Sequence, residues 1–125
     1  MSVPQTVKCY EGMTAKFQAS AEDDEGQAVP LVGAVVYFFV ADKIGLADNT
    51  ELYRADSVND PTVVVITDAA NGIVDITVPH TETLPEGSIP EGEYAMDVQA
   101  ILADTSRVML ISPRLLRNLG AAGRI

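Results

Sequence analysis

The sequence predicts an all-β sandwich of about seven to eight short strands followed by a short C-terminal arm. Three observations carry that prediction. Apolar residues recur with a period of two through residues 73–78 and 94–102, a Pro/Gly-rich connection over residues 79–92 separates those runs, and turn signals recur along the rest of the chain. Val74, Ile76 and Val78 alternate with Ile73, Asp75 and Thr77. Tyr94, Met96, Val98, Ala100 and Leu102 alternate with Glu93, Ala95, Asp97, Gln99 and Ile101. Successive side chains of a strand point to opposite faces, so each run places one face in a core. The connection between them holds too much Pro and Gly for a helix of any length, and is expected to cross between sheets. Tyr94 follows that corner where an immunoglobulin-like sandwich carries a tyrosine whose hydroxyl bonds to upstream backbone.

The remaining elements follow in order. Residues 6–10 form a short first strand, turned at Gly12 and Met13. Ala15, Phe17, Ala19 and Ala21 alternate with Lys16, Gln18, Ser20 and Glu22, which predicts a half-buried strand. The acidic run Glu22, Asp23, Asp24, Glu25, Gly26 is a turn, and residues 29–31 lead into AVVYFFV at 34–40. That run of β-branched and aromatic residues predicts a strand buried on both faces, either central in the sandwich or covered outside by a partner. Residues 41–49 are polar and turn-like, residues 51–55 a weak edge strand, and residues 62–67 a clear one after the break at Asn59, Asp60 and Pro61. Asn71-Gly72 is a tight-turn signal leading to residues 73–78. Residues 80–84 are expected to make one helical turn with Thr81 or Thr83 as its cap, and residues 103–106 to turn the long strand back into residues 107–111. Pro113 stops the last strand. Beyond it, Leu115, Leu116 and Leu119 share one face of a short amphipathic segment ended by Gly120. The expected organisation is a sandwich over residues 1–112 and an arm over 113–125.

With 125 residues the chain is one domain by length, and with 47% apolar residues and no Trp its core must be aliphatic. Cys9 is the single cysteine, which excludes an internal disulfide and reads as a buried strand thiol. A charged leader with an apolar stretch behind it, or an apolar run of bilayer length, is not seen, so a soluble protein made in the cytosol is expected. The net charge of −10 disfavours nucleic acid and anionic membranes as partners. Its distribution is uneven: residues 1–104 hold four cations and all eighteen acids, a net of −14, whereas residues 105–125 hold Arg107, Arg114, Arg117 and Arg124 and no acid, a net of +4. A basic arm that also carries Leu115, Leu116, Leu119 and Ile125 suits docking onto an acidic neighbour, with Arg114 and Arg117 engaging its carboxylates and the leucines filling its groove.

Catalytic pairings are scarce. His80 is the lone histidine, beside a proline, and no G-x-S-x-G nucleophile motif occurs. One His and one Cys do not make a zinc site, and no glycine cluster precedes a helix with the Lys-Ser/Thr of a phosphate loop. The acidic run at residues 22–26 lacks the calcium-loop pattern and reads as a solvated hairpin tip. Glu86, Glu91 and Glu93 flank the corner without the clustered aromatics of a sugar site. The expectation is a protein that is not an enzyme and needs neither cofactor nor metal.

A resemblance adds to this reading. The strand at residues 33–40, the strand–turn–strand at 66–78, and the corner running into Gly92, Tyr94, Asp97, Val98 and Gln99 (G-x-Y-x-x-D-V-Q) resemble the immunoglobulin-like β-sandwich domains of tailed-bacteriophage structural proteins, notably the N-terminal domain of baseplate upper proteins. The resemblance runs from Gly33 to Ile111, about two-thirds of the chain. It implies a virion structural component, assembled in the host cytoplasm in multiple copies, partnered by other virion proteins and by copies of itself, without cofactor. Two departures stand beside it: no long receptor-carrying or coiled region follows within the sequence, and residues 86–90 lengthen the corner. The expected place is the tail or baseplate. The alternatives are capsid decoration, head–tail joining, or a host-surface module gripping glycans or proteins through residues 42–49 or 79–92. The residues expected at the interface are Arg114, Leu115, Leu116, Arg117, Leu119 and Arg124, and Tyr94 is the expected structural corner.

Overall fold

A computed structural model of the chain describes residues 6–42 and 51–120. Among the described residues the alternating patterns are realised as nine strands in two facing sheets: β1 (Thr6–Cys9), β2 (Ala15–Ser20), β3 (Val35–Asp42), β4 (Glu51–Asp56), β5 (Val64–Asp68), β6 (Ile73–Val78), β7 (Gly92–Ile101), β8 (Arg107–Met109) and β9 (Leu115–Asn118). The larger sheet runs β1-β9-β7-β3-β4, with β8 on β7 as well, and the smaller runs β2-β6-β5. The chain is an all-β sandwich. Among the described residues the strand pairings are antiparallel except β1 with β9, where Thr6 to Cys9 lie beside Leu115 to Asn118 in parallel register.

The inner faces are those that period two selected. Val74, Ile76 and Val78 of the smaller sheet and Val36, Phe38, Val40, Met96, Val98 and Ala100 of the larger are fully or almost fully buried. Phe38 sits at the centre, meeting Phe17 edge-on at 5.7 Å and Tyr53 edge-on at 6.1 Å. β3 runs between β7 and β4; its inner face is fully buried, and Val35, Tyr37 and Phe39 on the outer face are half-buried within the single chain. Between β5 and β6 the turn is longer than a two-residue hairpin. Asp68 caps a 3-10 turn at Ala69–Asn71, and Gly72 reverses the chain at φ 69°. A Cβ there would stand 2.6 Å from the Val29 carbonyl oxygen, so the turn requires glycine.

The second 3-10 turn, His80–Thr83, falls where one helical turn was expected, but neither threonine caps it. Thr83 is fully buried and shares its hydroxyl proton between the carbonyls of Met13 at 3.0 Å and His80 at 2.9 Å. The corner from β6 to β7 crosses between the sheets, and the Tyr94 hydroxyl donates to the Pro90 carbonyl.

The largest correction concerns the C-terminal segment. Residues 115–118 are not a helical face on a separate arm; they form β9, hydrogen-bonded between β1 and β7, and the sandwich extends through them. Leu116 is fully buried against the core. In a strand, neighbours point to opposite faces, so the adjacent Leu115 and Leu116 split between outside and inside instead of sharing a face. Asn118 is also buried, at 1% exposure. Its amide donates to the carbonyls of Thr83 and Ile89, both at 2.9 Å, while its oxygen accepts the Gly120 N–H. The end of β9 thus ties down the corner loop that precedes β7. A further clasp joins the two sheets, as Ser20 and Ile111 exchange both backbone hydrogen bonds.

Deleting residues 113–125 is therefore expected to abolish cooperative unfolding, because it removes β9, uncovers β1 and β7 and leaves the corner untied. Thermal denaturation of the shortened chain checks this, and a full-length melting profile would contradict it. Tyr53 supplies a pH signature. Burial, followed by the nearby charges of Glu82 and Asp60, pushes its phenol from the ordinary 10.0 up to about 12. The folded protein keeps a proton that the unfolded chain releases, so this contribution is intact below pH 10 and fades as pH rises towards 12. Tyr53→Phe is expected to flatten the fall in urea midpoint between those two pH values; an unchanged slope would count against it.

Candidate interaction face on the larger sheet

The outer face of the larger sheet is built by the strand positions that alternate with the core. From β3 come Val35, Tyr37 and Phe39, from β7 Glu93, Ala95, Asp97, Gln99 and Ile101, and opposite them Arg107 and Met109 of β8 and Leu115 and Arg117 of β9. An outward sheet face in water is ordinarily polar. This one has an aromatic and aliphatic centre. Tyr37 and Phe39 stack at 6.2 Å with 13° between their planes. Arg54 of β4 lies over both, its guanidinium carbon 5.6 Å from the Tyr37 ring centre and 5.1 Å from that of Phe39. The same guanidinium stands 3.8 Å from Glu51. Met109, opposite Gln99, is 45% exposed.

Beside the rings lies Asp97, only 6% exposed although it sits on the outward side of β7. Its carboxylate takes an ion pair from Arg114 at 3.3 Å and a hydrogen bond from the Gln99 amide at 3.2 Å. This corrects one expected role: Arg114 engages a carboxylate of its own chain. The other expected interface residues separate. Leu115 and Arg117 are on the outer face, Leu116 is core, Leu119 is half-buried with its N–H on the Cys9 carbonyl, and Arg124 lies outside the described residues. Tyr37, Phe39, Arg54 and Met109 were not singled out from the sequence. The available signal was that AVVYFFV is apolar on both faces, which left its outer side without a solvent-facing pattern.

The residues weighed for chemistry are dispersed. His80 is exposed, and burial pushes the Cys9 thiol above its ordinary 9.0, away from a reactive thiolate. Asp23 uses a carboxylate oxygen to hold the N–H groups of Glu25 and Gln27, making the acidic run a self-capped turn. Among the described residues no group of three or more His, Cys, Asp or Glu side chains is placed to hold a metal ion, and no helix is long and apolar enough to cross a membrane.

No protein-family model, curated protein or solved structure matches the chain. The reading of the face rests on its own geometry.

The Arg114–Asp97 pair is expected to couple. Arg114→Ala strands a nearly buried carboxylate, whereas Asp97→Asn removes the charge that needs a partner. In a double-mutant cycle by urea denaturation, the coupling should be about 1 kcal/mol, within the range for contacting charged pairs. Additive effects would show that the pair contributes nothing.

Proposed function

We propose that this chain is a non-catalytic assembly module, an immunoglobulin-type sandwich belonging to a tailed-phage virion, most naturally in the tail or baseplate. The observation that carries the assembly reading is the outer face of the larger sheet. It combines stacked aromatics, an exposed methionine and a fringe of arginines, the composition enriched at protein–protein interfaces. Such a patch on an otherwise acidic molecule marks a contact surface more readily than a substrate site. The finer fold type is supported by strand order. β1-β9-β7-β3-β4 facing β2-β6-β5, with a tyrosine at the start of β7 bonded to the preceding corner, follows the immunoglobulin arrangement with an added strand on its larger sheet. The phage setting is supported by the resemblance of residues 33–111 alone. On this reading the module works without cofactor, its partners are other virion proteins and copies of itself, and its net charge of −10 keeps it from nucleic acid and anionic membrane.

Mass spectrometry of purified particles made from the genome that encodes this chain tests the setting. The chain should be present at many copies per particle, and gold-labelled antibody should mark the tail. Gold on the capsid shell would move the module to a decorating role. Absence from particles, with the protein abundant in the lysate, would contradict the virion reading.

A further inference from the structure

We infer that the outer face of the larger sheet docks a second copy of this chain, the two related by a two-fold axis. This rests on the assembly reading and names its first partner. The charge of the face suits a second copy. The face and its rim gather Lys8, Arg54, Arg107, Arg114 and Arg117 with Glu51, Asp56, Glu91, Glu93 and Asp97. Five cations balance five carboxylates, while the rest of the sequence, with three cations and thirteen acids, carries the whole −10. Two copies of so acidic a chain repel each other through most of their surface. Here they meet without that opposition, each copy offering both signs of charge, as a self-complementary two-fold contact requires.

The size of the face suits such a contact as well. From the Arg107–Ile101–Val35 row to the Lys8–Arg117–Glu93 row is eight residues of β7, about 27 Å, and five strands span about 20–24 Å, so the flat area is about 600 Å² per copy. Side-chain relief raises the accessible area above that, towards the roughly 800 Å² per partner of a standard specific interface. The opposite side of the sandwich contrasts with this face. The outward positions of β2 and of central β6 are Lys16, Gln18 and Ser20, and Ile73, Asp75 and Thr77. With Val65 of β5 beside Asp75, that surface holds two aliphatic side chains among mainly polar ones and lacks an aromatic centre.

Sedimentation equilibrium of the full chain over a wide concentration range tests the inference, with Met109→Glu on the face and Thr77→Glu on the opposite sheet. Both positions are on strand surfaces, and thermal melting at low concentration confirms that each variant is folded. The expected result is a reversible dimer whose dissociation constant rises at least tenfold with Met109→Glu and stays within twofold with Thr77→Glu. A monomer at every concentration overturns the inference, and so does a dimer that Met109→Glu leaves intact. A monomer found in purified particles would sink the two-fold contact while leaving the assembly reading standing. A dimer never found in particles would do the reverse.

Discussion

The structure depends on the last described strand being inserted into the larger sheet and not laid upon it. β9 lies between β1 and β7, so its backbone polar groups face a strand on each side, and none is left as an open edge at that place. Its four residues divide their work: Leu116 and Asn118 point inward, Leu115 and Arg117 outward. Fully burying a leucine is worth about 1.5–3 kcal/mol, a large share of what separates a folded domain of this size from its unfolded chain. The parallel partner of β9 is β1, at the other end of the described chain. The larger sheet is therefore complete only when residues near both ends have come together, the kind of long-range closure that makes β-sandwiches slow to fold.

Asn118 extends the effect of β9 beyond its own ladder. A buried amide left unpaired costs about 1–3 kcal/mol, and here donor and acceptor are both satisfied by backbone of the corner and of the following turn. With Thr83 bonded back to Met13 and the Tyr94 hydroxyl bonded to Pro90, the long connection of residues 79–91 is held at three points. That explains how a segment rich in Pro and Gly, with a single 3-10 turn, can bury Ile89. The corner is a fastening. Its buried polar groups bind the chain to itself.

Much of this was legible in the sequence. β6 and the inner face of β7 could be read because their outward positions include Asp75, Thr77, Asp97 and Gln99, so alternation had contrast. β3 had no such contrast: Val35, Tyr37 and Phe39 are as apolar as Val36, Phe38 and Val40, and periodicity does not say which set meets solvent. The short run LLRN misleads in another way. Adjacent leucines followed by Leu119 fit a helical face, and only pairing with β1, more than a hundred residues away, makes them strand. Asn118 carried no signal because its partners at Thr83 and Ile89 are set by tertiary structure. The concentration of cations near the C-terminus was informative, yet its meaning changed. Arg114 and Arg117 belong to a sheet face, where Arg54 from a distant strand joins them.

The most direct test of this account is amide hydrogen exchange on the full chain, followed at residues 115–118 at low and high protein concentration. A strand built into the sheet should exchange slowly, at rates comparable to the centre of β7, whether or not the copies associate. Protection at those amides that appears only at high concentration would contradict it, for then the segment would be ordered by a partner and not by its own sandwich.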